Sequence, residues 1–182
     1  MRIGLIGDNS LEFIKILLQI WRDGNCAVII DWRMPMNKTV ELLIEAGVEY
    51  CYIDGILLQE SIYCEGMPFN FIPYTKNGEV VTLVPTELMD GYRSEYNDAE
   101  AIILYSSGTT GKSKGVILSY NAINTNADAI LKYMKLNQND SVYIVKTLSH
   151  SSTIVGELIV ALKAKCELYV SATIVPPKFV LD

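Results

Sequence analysis

The sequence lacks most of the features that would declare a function at once. It has one histidine, His150, in 182 residues. Its four cysteines, Cys26, Cys51, Cys64 and Cys166, form no C-x-x-C pair. That spacing speaks against a metal site or a disulfide framework, and three of the four stand in or beside apolar strand-like runs, so buried free thiols are expected. No apolar run approaches the roughly 20 residues of a membrane span. The opening Met1-Arg2-Ile3-Gly4-Leu5-Ile6-Gly7-Asp8 reaches an acid too soon for a secretory signal, and the expectation is a soluble, cytoplasmic protein. Basic residues are outnumbered by acids, and the net charge of −6 disfavours nucleic-acid binding, which needs Lys and Arg to neutralise phosphates. There is no internal repeat and no low-complexity tract.

What is present suits one domain with a real core, since hydrophobic residues make up 50% and charged residues 20%. Ile3–Ile6 reads as a short buried strand. Asp8-Asn9-Ser10 follows as a helix start, with Asn9 and Glu12 in capping-box spacing. Leu11, Ile14, Leu18 and Trp21 recur at helical spacing, and Gly24 ends the helix. Cys26–Ile30 is a second strand. Pro35 opens a second helix with Met36, Val40, Leu43 and Ile44 on its apolar face, and Gly47 closes it. Tyr50–Ile53 is a third strand. This β-α-β-α-β order predicts an α/β fold with a mostly parallel sheet flanked by helices. Gly4 and Gly7, with Asp31 after the second strand, hint at a dinucleotide fold, but G-x-G-x-x-G is absent and tight strand-to-helix turns explain the glycines.

Residues 60–98 are punctuated by Pro68, Pro73 and Pro85 and by Gly66, Gly78 and Gly91. Within them Glu79–Val84 reads as one strand of a small irregular hairpin region. The acids of Asn97-Asp98-Ala99-Glu100 are assigned to solvation. Later, Ser119 can cap a helix whose core face is Ile123, Ala127, Ile130 and Met134. A strand over 141–145, a helix over 154–163 and a strand over 166–170 form one more unit before Pro176-Pro177 breaks the pattern.

The chain is organised around Tyr105-Ser106-Ser107-Gly108-Thr109-Thr110-Gly111-Lys112-Ser113-Lys114-Gly115. An apolar run, Ala101–Leu104, leads in, and another, Val116–Leu118, leads out. Gly108, Gly111 and Gly115 let the backbone approach a ligand closely, and successive N–H groups in such a turn can form a nest for an anion. The hydroxyls of Ser106, Ser107, Thr109 and Thr110 and the ammonium groups of Lys112 and Lys114 add donors and charge. A polyphosphate fits this chemistry. A plain exposed turn would explain the glycines and serines but not the threonines and lysines between apolar runs. A Walker A loop, G-x-x-x-x-G-K-[ST], matches at Gly111-Lys112-Ser113 but has Ser106 where its first glycine belongs, and it requires a helix from the lysine where this sequence predicts a strand.

The segment Ser107–Gly115 resembles the S-G-T-T-G-x-P-K-G signature of the adenylate-forming superfamily, which includes acyl- and aryl-CoA synthetases, adenylation domains of non-ribosomal peptide synthetases, and luciferases. Ser113 stands where that signature has proline. Proline fixes φ, so a looser loop is expected, mobile without nucleotide. The resemblance extends upstream through Asn9, Ser10, Glu12, Trp21 and Gly24 and through Asp98, Glu100 and Ala101. It extends downstream to Leu148-Ser149-His150, which is similar to the family's P-L-x-H motif with Thr147 in place of the proline.

The resemblance implies that residues 1–182 are the N-terminal part of an AMP-binding domain and that the remainder of the enzyme lies outside this chain. It implies ATP and Mg²⁺ as cofactors, a carboxylate substrate, and CoA or a carrier-protein thiol as acceptor. Ser106, Ser107, Gly108, Thr109, Thr110, Gly111, Lys112 and Lys114 would bind ATP phosphates, and His150 is a candidate beside the ATP and acyl sites. The family's aromatic-Glu segment, ribose-holding Asp, hinge and C-terminal catalytic Lys have no counterpart in this sequence. The isolated chain is therefore expected to be inactive for adenylation. A truncated, non-catalytic nucleotide- or partner-binding module of the same fold is the alternative.

Overall fold

The computed structural model of the chain describes residues 1–58, 67–76, 81–106 and 113–173, with Ser106 by its backbone alone. The β-α-β-α-β opening forms as its pattern predicts. β1 (Arg2–Ile6) leads to α1 (Leu11–Arg22), β2 (Cys26–Ile30), α2 (Met36–Ala46) and β3 (Tyr50–Asp54). β4 (Asn70–Tyr74), β6 (Glu100–Ser106) and β7 (Lys114–Ser119) complete a six-stranded sheet of order β4-β3-β1-β2-β6-β7. All neighbours are parallel except β6 and β7, which form an antiparallel hairpin. Pro73 hid β4 in the sequence. β4 is an edge strand, where Pro73, lacking an N–H, is tolerated.

Side chains alternate between the two faces of this sheet. Ile3, Leu5, Ala27, Ile29, Ile102 and Leu104 enter one core with α1, while Ile6, Val28, Ile30, Ile53 and Ile103 enter another with Leu42 and Leu43 of α2. The two crossover helices therefore cover opposite faces. Leu42, Leu43, Thr39 and Ala46 are the buried residues of α2, and Ile44, expected on its apolar face, is exposed. The expected face was rotated because Met36 and Val40 sit only at its margin.

α3 (Thr86–Asp90) precedes the hairpin and α4 (Tyr120–Met134) follows it. Ser119 caps α4, accepting the Ala122 N–H, as expected, although Met134, the last residue of the predicted face, is exposed. The last unit does not extend the first sheet. β8 (Ser141–Ile144) and β9 (Glu167–Ser171) pair in parallel, and β5 (Val81–Leu83) pairs antiparallel to β9, giving a second sheet of order β5-β9-β8. Among the described residues β5 thus finds a strand far along the chain rather than a local hairpin partner; residues 77–80 lie outside the described set.

Between β8 and β9 runs a continuous helical segment: α5 (Ser151–Thr153), a π-helical stretch Ile154–Ile159, and α6 (Val160–Ala164). Ile154, Leu158, Ile159 and Leu162 join Ile123 and Ala127 of α4, Phe13 and Leu17 of α1, and Ile144, Leu168 and Val170 of the second sheet in one core. Cys26, Cys51 and Cys166 are buried free thiols, and burial pushes the Cys26 thiol up to about 12. Cys64 lies outside the described residues. No helix among the described residues is long and apolar enough to cross a membrane.

Candidate functional site

In an open α/β sheet, ligands bind beyond the carboxyl ends of the strands, where successive crossovers leave in opposite directions. With the order β4-β3-β1-β2, the chain crosses from β1 to β2 on one side and on to β3 and β4 on the other, so that point lies between β1 and β3, and β1 and β2 end beside it. The residues just past these strands are Gly7-Asp8-Asn9-Ser10 and Asp31-Trp32-Arg33.

Each residue of the first turn has a separate task. Ser10, rather than Asn9, caps α1: its hydroxyl accepts the Phe13 N–H at 3.1 Å. The short hydroxyl satisfies the orphan donor and leaves the neighbouring amide side chain for a distant partner. Asn9 Nδ2 donates to the Lys146 carbonyl at 2.8 Å, and Asn9 Oδ1 accepts the Leu148 N–H at 2.8 Å. The Asp8 carboxylate accepts from Asn9 N–H and from the N–H and hydroxyl of Thr173. Lys76 lies 3.6 Å from Asp8 and 3.7 Å from Asp54, so one ammonium group compensates two buried acids at the ends of β1 and β3.

At the second turn, Asp31 is gripped by Arg33 through Nε at 2.9 Å and a second nitrogen at 2.5 Å, and it accepts from Ser149 Oγ at 3.2 Å. Burial pushes this carboxyl up, but the Arg33 hydrogen bonds and charge, with Ser149, outweigh it and hold the carboxyl below its ordinary range. The exits of β8 and β9 are thereby stitched to the exits of β1 and β2.

The segment carrying the histidine is a turn over this crevice. His150 N–H donates to the Thr147 carbonyl at 3.3 Å, Thr147 Oγ1 lies 3.0 Å from Ser149 Oγ, and Leu148 is buried. Threonine in place of a proline is accommodated here by its own hydroxyl, which accepts the Ser149 N–H. His150 itself is exposed, at the head of the helical segment.

The β6–β7 hairpin opens at the same edge. Ile29 pairs with Leu104, so the next residues outward lead to Asp31 on one chain and Ser106 on the other. Ser106 pairs with Lys114, the exposed first residue of β7. Ser107, Gly108, Thr109, Thr110, Gly111 and Lys112, with the mobility expected of them, lie outside the described residues, as does Pro176-Pro177. The strand starting at Lys114 removes the Walker A reading, which needs a helix there. Sequence reasoning thus found the two strands on either side of the loop, and the candidate His150 lies on a turn at the same edge. It misassigned Asn9 as a cap, and it missed Asp8, Lys76, Ser149 and Thr173. Their position just past strand ends was the available signal for Asp8; nothing local marks the others. Glu100, assigned to solvation, is instead bonded to Arg2 at 2.7 and 2.8 Å.

Comparison with known proteins defines the class. The family model for AMP-binding enzymes matches residues 1–182, and the chain belongs to that family. It is 26% identical over 176 residues to a malonate–CoA ligase of Arabidopsis thaliana, covering 90% of this chain and 28% of that protein. It is 25% identical over 181 residues to the mitochondrial malonate–CoA ligase ACSF3 of Mus musculus, covering 96% and 29%. The chain therefore spans under a third of the length of these curated relatives. The structure of ATP-bound MatB from Rhodopseudomonas palustris shares the fold, with a TM-score of 0.80 over 100% of this chain and 37% of that one at 19% identity.

Proposed function

We propose that this chain supplies the ATP-phosphate-handling part of an AMP-forming acid–thiol ligase. The observation that carries the reading is the β6–β7 hairpin, which brings the two ends of the Gly/Thr/Lys segment to the crevice edge beside Asp31 and the His150 turn. In the proposed reaction a carboxylate oxygen attacks the α-phosphorus of ATP, the bond to the bridging oxygen breaks, and pyrophosphate leaves an acyl-adenylate. A thiol of CoA or a carrier protein then displaces AMP. Ser106, Ser107, Thr109, Thr110 and the N–H groups of Gly108 and Gly111 would hold the β- and γ-phosphates. Lys112 or Lys114 would offset charge growing on the pyrophosphate. Mg²⁺ would arrive on the ATP phosphates and offset part of their charge. His150, exposed at the same edge, would stand beside the acyl-adenylate.

The relatives support a carboxylate substrate and a CoA or carrier thiol, and malonate is the first acid to test because two of them are malonate–CoA ligases. The test has two parts. ATP binding to the 182-residue chain is expected, and Lys112→Ala should weaken it by about tenfold to a hundredfold, the worth of a hydrogen bond to a charged group. Carboxylate-dependent pyrophosphate exchange by that chain is not expected. Binding unaffected by Lys112→Ala and by the Thr109→Val/Thr110→Val pair would overturn the phosphate assignment, and exchange by the chain alone would overturn the division of labour.

A further inference from the structure

We infer that Asn9 is a positioning residue for the His150 turn, a role that rests on reading this edge as the nucleotide and acyl site. Asn9 is buried, 4% exposed, immediately past β1. Its side-chain amide pairs with one short stretch of backbone through both of its functions: the donor meets the Lys146 carbonyl and the acceptor meets the Leu148 N–H, each at 2.8 Å. These backbone groups flank Thr147, so the amide acts as a bracket in the manner of a neighbouring strand. No other residue type of this size offers a donor and an acceptor in that planar arrangement.

The bracket holds the turn from below, while the Ser149 Oγ–Asp31 bond holds it from the β2 side and Leu148 anchors it in the core. His150 is the next residue out. Among the described residues no hydrogen bond or ion pair anchors its side chain, so its place over the crevice is set by the backbone that Asn9 fixes. Asn9 is in turn oriented by its own N–H, which donates to Asp8 Oδ1 at 2.8 Å. The same turn therefore ties the helix start after β1 to the exit of β8, 139 residues away.

His150 is the only histidine of the chain, so the Cε1–H signal of its imidazole is an unambiguous reporter in a proton–carbon NMR spectrum. The experiment compares the wild-type chain with Asn9→Ala, and with Asn9→Asp, which keeps the size and the acceptor but loses the donor. ATP is the titrant. In wild type, ATP is expected to shift the His150 signal. In Asn9→Ala the Leu148 amide should exchange with solvent about tenfold faster, the effect of one lost buried hydrogen bond, while the Phe13 amide, held by Ser10, keeps its protection. The ATP-induced shift at His150 should be lost or broadened, while ATP affinity stays within about twofold because the phosphate loop is untouched.

A purely structural role would lower stability without separating His150 from ATP affinity in this way. If Asn9→Ala does not fold, Asn9→Asp carries the His150 readout: it keeps the acceptor for the Leu148 N–H but sets a carboxylate oxygen against the Lys146 carbonyl, so the ATP-induced shift should be lost or broadened while the Leu148 amide keeps its protection. Unchanged Leu148 exchange together with an unchanged ATP-induced shift in the variant overturns the assignment of Asn9. A wild-type His150 signal that ignores ATP while ATP binds overturns the reading of the edge, and the positioning role falls with it.

Discussion

At Gly7 the chain leaves β1 against the Tyr74 ring. A β-carbon there would stand 1.9 Å from the tyrosine oxygen and 3.0 Å from Cζ, and that oxygen is committed to the Ile6 carbonyl at 3.3 Å. The glycine is needed for close approach. Its neighbour Gly4 follows the same logic, since a β-carbon would lie 2.6 Å from the Cys51 sulfur. Gly7→Ala should cost about 1–3 kcal/mol, the usual price of overpacking a filled core. Tyr74→Phe removes the oxygen but leaves Cζ in place, so the double variant should recover part of that loss. Urea unfolding of the two single variants and the pair measures the coupling, and strictly additive losses would show that the ring and the glycine do not compete. The sequence marked Gly7 as a strand-to-helix turn, yet the reason it is glycine lies 67 positions away at Tyr74. At the candidate site the same holds. The Gly/Thr/Lys segment was legible because its chemistry is contiguous, whereas Asn9, Asp31 and Asp8 meet partners 139, 118 and 165 residues distant.

Lys163 joins three elements. From α6 its ammonium group pairs with Asp128 of α4 at 2.8 Å, donates to Ser94 and Tyr96 at 3.1 and 2.9 Å, and reaches buried Asn124 at 3.3 Å. It also lies 5.1 Å from the centre of the Tyr96 ring. Only 9% of its side chain is exposed, so water cannot easily replace these partners. Lys163→Met keeps the apolar stem and should cost about 1–3 kcal/mol, mainly through the partners left unpaired. It should also loosen the connection over residues 92–96, so that trypsin cuts after Arg93 faster than in wild type. An unchanged cutting rate would mean that the connection is held elsewhere. Elements of this kind were readable from local pattern, but their ends and destinations were not. α4 and α6 stop at Lys135 and Lys165, which take the left-handed conformation that glycine usually announces. β8 and β9 are short strand-like segments around an apolar centre, and nothing local in them named a partner strand, so they were not assigned to a second sheet.

The two sheets meet at one edge of the molecule through the polar contacts of Asp8, Asn9 and Asp31, and the opposite edge of the first sheet is closed by a different device. Arg2, at the start of β1, donates to Glu100 at the start of β6 through two nitrogens and to the Ala46 carbonyl at the end of α2 at 2.9 Å. It thereby clamps strands that flank β2. The Arg2 hydrogen bond, followed by its charge, holds the Glu100 carboxyl below its ordinary range. A carboxyl whose folded value is lowered stabilises the fold above its unfolded value, about 4.3, and that stabilisation is lost as pH falls through the lowered folded value. Both side chains are at least a third exposed, 34% and 40%, so solvent screening limits the pair to at most about 1 kcal/mol. Glu100→Gln should therefore lower Tm slightly at pH 7, and the gap to wild type should close as pH falls through the acid range. Because the pair lies at the strand edge away from Asn9 and Asp31, ATP binding should be the same in both proteins. Thermal unfolding from pH 7 to 3 decides the matter: a gap that stays constant with pH would mean that the Glu100 side chain stabilises the sheet by packing and not by its charge.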